Sequence, residues 1–233
     1  MHIDYITYSV KTTNVDDCHM EYFGQAAKEK DVRGFYDRER SYYTGVRIRR
    51  SENEYQGSVV NMGGYALGRI REDTGITDSE ILESIREVAH NVTRIDYAID
   101  SDNPKIKIKS LASAWKRGKA KTRVRNAIVT DELRYGGYTF RVGADTSDTW
   151  LRVYDKAKEM GLLNQALIRV EIEQRGKLAN HMFELSEHTP IDQIARARIR
   201  EYCMFPTIKW FRDMLDGDDI EFKPLGRKKT DFE

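Results

Sequence analysis

The sequence predicts an α+β fold: an antiparallel β-sheet with helices on one side, with a hint of two related α+β halves. Three observations carry this. Several short segments alternate apolar and polar residues with the period of two that a half-buried strand requires. Ile81, Leu82, Ile85, Val88 and Ala89 follow the capping-box pattern Thr77-Asp-Ser-Glu80 at helical spacing. Ile3-Asp4-Tyr5 and Ile95-Asp96-Tyr97 each open a β-rich stretch, with that helix between them. The three-residue echo is the only sign of duplication. No linker rich in Pro, Gly or Ser divides the chain, which makes one compact unit the expected domain count.

Taken in order, Ile3 to Val10 is β-rich and reads as the first strand. Tyr42 to Arg49 and Gly57 to Ile70 read as further strands, the second broken at Gly63-Gly64 by a turn or bulge. The capped helix follows, then a strand around Asp96. Within the next, basic stretch, Leu111 to Trp115 reads as a helix, while Lys105-Ile-Lys-Ile-Lys109 fits a strand equally well. Strands are expected from Tyr138 to Val142, around Tyr154 and around Glu171, and helices from Ile191 to Met204 and Ile208 to Leu215. Past Gly217 the chain is charged, which predicts fraying. A main unit over residues 1–205 and a C-terminal helix with a charged tail over 206–233 follow from this.

Bulk properties narrow the classes. At 233 residues, 39% hydrophobic and 33% charged, the chain buries one good core under a charged surface. The net charge of +1 names no partner, but its distribution is uneven. Nine Lys and Arg and no acid lie between Lys105 and Arg125, whereas five acids and no base lie between Asp213 and Glu221. A local basic block is a better nucleic-acid signal than overall pI, and its phosphate-binding candidates are Lys116, Arg117, Lys119, Lys121, Arg123 and Arg125. The competing account is a solvated face. Trp115 within the block either stacks on a base or anchors its helix in the core, the second being commoner for a lone Trp. Cys18 and Cys203 form no framework, no run approaches a membrane span, and the N-terminus lacks a signal-peptide pattern; a cytoplasmic protein is expected.

The chemistry lies on three alternating segments. In Trp150 to Glu159, Leu151 and Val153 point one way while Arg152, Tyr154 and Lys156 point the other. In Arg94 to Asp100, Ile95, Tyr97 and Ile99 lie opposite Arg94, Asp96, Ala98 and Asp100; in Arg169 to Glu173, Val170 and Ile172 lie opposite Arg169, Glu171 and Glu173. Three such strands in one sheet would put a tyrosine, several carboxylates and a row of cations on an open face. A nucleophilic tyrosine needs cations or a metal to favour phenolate, and Arg152 and Lys156 stand two residues either side of Tyr154. Asp96 with Asp100, and Glu171 with Glu173, are same-face pairs suited to Mg²⁺ or Mn²⁺. Cross-strand salt bridges to Arg94, Arg152 and Arg169 are the structural alternative. The five histidines make neither His-x-His nor HExxH, and GxxxxGK[ST] is missing, which argues against zinc enzymes and P-loop ATPases.

With these pieces together, the chain resembles the trans-acting Rep family of rolling-circle replication initiation factors, found in plasmids, phages and conjugative elements. The resemblance rests on Ile3-Asp-Tyr-Ile-Thr7, Asn61-Met-Gly-Gly64, Arg94-Ile-Asp-Tyr-Ala-Ile-Asp100, Tyr138-Thr-Phe-Arg-Val-Gly143, Arg152-Val-Tyr-Asp-Lys156 with Glu159, and Arg169-Val-Glu-Ile-Glu173. It covers most of residues 1–180, and the Arg-x-Tyr-x-Lys-x-x-Glu run followed by Arg-Val-Glu is its most specific part. It implies an antiparallel-sheet nicking-enzyme core and a site-specific, metal-dependent single-strand nick in double-stranded origin DNA, at a locally unpaired site. Tyr154 would be the nucleophile, forming a 5′-phosphotyrosine and a free 3′-OH. Asp96 and Glu171 would bind the metal, with Asp100 and Glu173 as further candidates. It also implies a homodimer and a host helicase as partners. A conjugative relaxase of the same chemistry, and a non-catalytic origin-binding regulator, are the alternatives.

Overall fold

The computed structural model describes residues 1–222 other than 13, 15–17, 33, 52, 54–56, 131–136, 145, 219 and 221. The first part of the chain forms β1 (His2–Val10), a short 3-10 turn (Glu21–Phe23), β2 (Ala26–Asp31), β3 (Arg38–Tyr42), β4 (Arg47–Arg50), β5 (Ser58–Gly63), α1 (Gly64–Thr74) and α2 (Asp78–Val88). Next come β6 (Asn91–Ser101), α3 (Lys109–Lys116), β7 (Lys121–Thr122), β8 (Ala127–Thr130), β9 (Thr139–Val142), β10 (Thr149–Asp155) and α4 (Lys156–Glu159). The last elements are β11 (Ile168–Arg175), α5 (Gly176–Leu185), α6 (Ile191–Tyr202), β12 (Cys203–Met204) and α7 (Lys209–Met214).

Ten strands make one sheet in the order β2-β3-β4-β5-β1-β6-β11-β10-β9-β8, with antiparallel neighbours throughout. The order is mirrored about the β1–β6 junction. Outward from the centre, one side runs first strand, last strand, then the intervening strands in reverse: β1, β5, β4, β3, β2. The other side repeats this as β6, β11, β10, β9, β8. Each inner neighbour, β5 and β11, leads directly into a helix beginning with glycine, Gly64 or Gly176, and a second helix follows. Ile3-Asp4-Tyr5 and Ile95-Asp96-Tyr97 meet at this junction, where Ile3 pairs with Tyr97 and Tyr5 with Asp96 across a bulge. The two halves hinted at by the sequence are thus present in the topology.

One face of the sheet buries Ile6, Tyr8, Val60, Met62, Ile95, Tyr97, Val153, Val170 and Ile172 in a single core with apolar residues of the helices. These include Leu67 and Ile70 of α1, Ile81 and Ile85 of α2, Leu111 of α3, Met182 of α5 and Ile194 of α6. Phe211 and Leu215 join the same core, so the boundary drawn at residue 205 does not coincide with a break in packing. The tail beyond residue 222 lies outside the described residues. The outer strand β2 carries Lys28, Glu29, Lys30 and Asp31, all exposed, a charge pattern that discourages edge-to-edge pairing. Trp115 meets Phe140 edge to face at 6.3 Å and is a core anchor. Cys18 and Cys203 are buried and unlinked, burial pushing the Cys203 thiol up to about 12.

Thr77 caps α2 as expected, accepting from Glu80 N while Glu80 receives the Thr77 N–H at 2.8 Å. Three sequence expectations are corrected. Tyr42 to Arg49 is not one strand but the end of β3, a turn at Gly45 (φ 92°) and the start of β4. Gly57 to Ile70 is β5 followed by α1, in which Ala66, Leu67 and Ile70 form the buried stripe. Gly64 is required there by close approach, because a Cβ would lie 2.7 Å from Asp4 Oδ1. Finally, Lys156 leaves the strand: Asp155 accepts from Lys158 N and caps α4, so the alternation ends one residue after Tyr154.

Candidate active site

The three chemical strands are neighbours, β6-β11-β10, and their register sets the site. Opposite pairs are Asp96 with Glu173, Ala98 with Glu171, and Asp100 with Arg169; on the other side of β11, Arg152 faces Glu171 and Tyr154 faces Arg169. Strand parity keeps Arg94, Asp96, Asp100, Arg152, Tyr154, Arg169, Glu171 and Glu173 off the helix-covered face, as the sequence predicts. That face is not open at Tyr154, however. The ring is only 1% exposed. Arg152 covers it, with Cζ 4.4 Å from the ring centroid, and Lys156 Nζ lies 5.8 Å away while paired with Glu159.

The Tyr154 hydroxyl donates to Glu171 Oε2 at 3.0 Å. Arg152 Nη2 donates to both oxygens of the same carboxylate, at 2.8 and 2.9 Å. Burial first, and then the Glu171 charge, push the phenol above its ordinary value, although Arg152 pulls the other way. The cations flanking Tyr154 therefore do not make a phenolate in the free protein. They sit beside a neutral phenol already hydrogen-bonded to a base.

Asp96 and Glu173 are both 1% exposed. Arg94 donates to Asp96 through Nε at 2.9 Å and also through Nη2, which lies 2.7 Å from Glu173 Oε2. Arg175 is the second cation at Glu173. Burial pushes the Asp96 carboxyl up to about 7; Arg94 opposes this, and Glu171 and Glu173 add to it. Asp100 is separate, since Arg169 grips it with Nε and Nη2, each at 2.7 Å. Arg169 also holds Asp4, the residue in the β1 bulge, which sequence reasoning missed. The Asp4-Asp96 echo was the available signal.

All four carboxylates thus engage arginine, as the salt-bridge account required. Among the described residues no three Asp, Glu, His or Cys side chains are grouped to hold a metal. Asp96 and Glu173 are the pair that could hold one: they face each other across the strands and are buried, with Arg94 and Arg175 as the present counter-ions of Glu173. Two carboxylates with water and a phosphate are a normal Mg²⁺ set. Asp100, held in a two-pronged arginine pair, fits poorly.

Lys116, Arg117, Lys119, Lys121, Arg123 and Arg125 are all exposed. They run from α3, on the helix side, along β7 to the edge strand β8. The block is therefore not on the face that carries Tyr154, and only its end at Arg125 approaches the sheet edge.

Two clefts flank Tyr154, and Arg152, Tyr154 and Glu159 line both. The narrower, about 190 Å³, is completed by Ile128, Thr139, Arg141 and Trp150. The wider, about 570 Å³, runs toward α1 and includes His2, Asp4, Lys156 and Arg169.

No helix among the described residues is long and apolar enough to cross a membrane. No curated protein matches the chain significantly. The fold is similar to that of a rolling-circle replication initiator protein from Geobacillus stearothermophilus, with a TM-score of 0.76 at 22% sequence identity over 88% of this chain and 86% of that one. The family model described as replication initiation factor matches residues 90–221, more than half of the sequence and the whole span from β6 through α7. Every strand bearing the Tyr154 constellation lies inside that match, and the chain belongs to the replication initiation factor family.

Proposed function

We propose that this protein initiates rolling-circle replication by nicking one strand of double-stranded origin DNA at a locally unpaired site, with Tyr154 as nucleophile. The observation that carries this is the Tyr154 hydroxyl donating at 3.0 Å to Glu171, beneath Arg152 and between two clefts, in a chain of the replication initiation factor family. Glu171 is within reach to take the phenolic proton, the geometric requirement for a general base. Arg152 covers the ring and neutralises Glu171. A DNA phosphate that draws its guanidinium away would uncover the hydroxyl and release the Glu171 carboxylate from its ion pair at the same moment.

The bonds balance simply. Tyr154 Oη forms a bond to phosphorus, its proton passes to Glu171, and the P–O3′ bond breaks. The 3′ oxygen takes a proton from solvent and becomes a 3′-OH primer, while the 5′ end remains as a phosphotyrosine. Keeping the ester preserves the bond energy for rejoining. Asp96 and Glu173, with Glu171 beside them, would hold Mg²⁺ or Mn²⁺, which when bound neutralises developing charge on the phosphate. Arg94 then orients the two carboxylates. Lys156 lines the wider cleft and would meet a flanking phosphate on leaving Glu159, while Arg169 lines it from a buried position with its nitrogens held by Asp100 and Asp4. A homodimer and recruitment of a host helicase complete the proposal, on the strength of the family resemblance alone.

The test is supercoiled DNA carrying an inverted repeat from the coding region or its flank, incubated with protein and Mg²⁺ or Mn²⁺. Nicked circles with a peptide containing Tyr154 bound to the 5′ end are expected. Intact plasmid and specific binding only would instead favour an origin-binding regulator.

A further inference from the structure

The wider cleft has a wall that the nicking chemistry does not use. It is the outward face of α1, carrying Tyr65, Gly68 and Arg69. Tyr65 is 68% exposed, and it lines the cleft that the buried Tyr154 also lines. It is nevertheless fixed in orientation. A Cβ on Gly45, at the β3–β4 turn, would lie 2.9 Å from Tyr65 Cδ1, so part of the ring packs against that turn. Its hydroxyl end interacts with Arg69, which also pairs with Asp73 at 3.3 Å. At Gly68 nothing lies within 4 Å of where a Cβ would be, so the wall beside Tyr65 is open. An oriented ring with solvent before it, next to guanidinium groups, is how proteins seat an unpaired base while following its phosphates.

We infer that this cleft binds the unpaired DNA strand flanking the scissile phosphate, with Tyr65 as the stacking platform for one of its bases. It rests on the proposed nicking role of Tyr154 only in placing this strand beside the scissile phosphate. A paired duplex does not fit the same chemistry, because its base faces are already stacked. The charge balance favours nucleic acid over an apolar peptide: Arg69, Arg71, Arg152, Lys156 and Arg169 outnumber Asp4, Glu72 and Glu159 along the cleft that Tyr65 lines. Tyr65 is a positioning residue in this scheme. It holds the strand in register so that one phosphate lies over Tyr154, and it determines that the substrate at this point is single-stranded.

The experiment uses the full chain carrying Tyr154→Phe without divalent metal, so that its outcome does not depend on nicking. The probe is a short oligothymidylate with one 5-iododeoxyuridine, irradiated in the complex and mapped by mass spectrometry. Crosslinks to the peptide containing Tyr65 are expected, retained in Tyr65→Phe and lost in Tyr65→Ala. Tyr65→Ala should also weaken the oligonucleotide about tenfold with little change in thermal stability. An unlabelled single strand should compete and a duplex of equal length should not. Crosslinking and affinity unchanged in Tyr65→Ala, or equal competition by the duplex, would overturn the inference. Should wild-type protein fail to nick while the Tyr65 crosslink persists, the cleft assignment stands and the nicking proposal fails by itself.

Discussion

Replacing Tyr154 by Phe removes one oxygen, and the structure sets what that should cost. The sequence alone, placing Tyr154 on an open face, predicts almost no loss of stability. Burial and the 3.0 Å bond to Glu171 change the figure. A hydrogen bond to a charged partner contributes about 1.5–3 kcal/mol. Here the acceptor is not orphaned, because Arg152 Nη2 still donates to both Glu171 oxygens. The cost should therefore fall at the low end, about 1.5 kcal/mol, or roughly 3–6 °C in Tm for a chain of this size. The variant should remain folded and bind DNA with nearly unchanged affinity. Its nicking of cognate supercoiled DNA and its covalent adduct should both vanish. Urea unfolding, thermal melts and a nicking gel on the same preparations test the whole chain of reasoning. Full nicking with a retained adduct would remove Tyr154 from the mechanism. A loss above about 4 kcal/mol would show that the hydroxyl holds the fold together, and inactivity would then say nothing about chemistry.

Three further outcomes follow from the geometry. Asp96→Asn and Glu173→Gln should raise the metal concentration needed for half-maximal nicking, with excess Mn²⁺ restoring part of the rate; Asp100→Asn should leave that dependence unchanged and instead destabilise the fold by about 1–3 kcal/mol, since it weakens the Arg169 pair. Equal metal dependence in all three variants would return these carboxylates to a purely salt-bridging role. Alanine at Lys116, Arg117, Lys119 and Lys121 together should weaken specific and random duplexes alike and lower the salt slope by about one unit for each phosphate no longer neutralised; no change in a salt titration would leave the block as solvated surface. Asp4 is held at about 2 despite burial, through His2 and Arg169, so its contribution is present above the ordinary carboxylate range and is lost as pH falls from about 4 toward 2; an acid-unfolding curve should be flatter in that window for Asp4→Asn.

Alternation made most of the site's strands legible. Ile95, Tyr97, Val153, Val170 and Ile172 had to share a buried face, which forces their polar neighbours onto the other one. What alternation does not contain is where it stops and what lies opposite. Lys156 falls out of the pattern because Asp155 caps a helical turn, an outcome set by one side-chain hydrogen bond. The hairpin at Gly45 and the start of α1 at Gly64 were missed because β-branched and aromatic neighbours favour strand, while both glycines answer to approach distances set by Tyr65 and Asp4. Which carboxylate meets which arginine depends on register. Asp100 and Asp96 are equivalent in sequence, yet one faces Arg169 and the other Glu173.

The mirrored topology gives the Tyr154 cluster a counterpart position in the first half, with different residues in it. Counted back from the helix that each enters, Glu173 and Glu171 of β11 correspond to Asn61 and Val59 of β5. Through the neighbouring strand, Trp150 and Arg152 opposite them correspond to Arg47 and Arg49. The first half thus keeps the arginine and loses both glutamates, and Arg49 turns to Glu39 on β3 instead, at 2.6 Å. Tyr154 corresponds to Ser51, one residue past the end of β4. Ser51 donates instead to Asp37 at 3.1 Å, a carboxylate from outside β5, and β5 places no glutamate pair beside Asp4, so the first half retains the sheet and the cations but neither the tyrosine nor its glutamates. What it contributes to the centre comes through the junction: Asp4, at the position echoing Asp96, reaches across to Arg169, and α1 places Tyr65 on the wall of the cleft beside Tyr154. Under the proposed function, the second half is the cutting half and the first half, through Tyr65, its strand-holding wall.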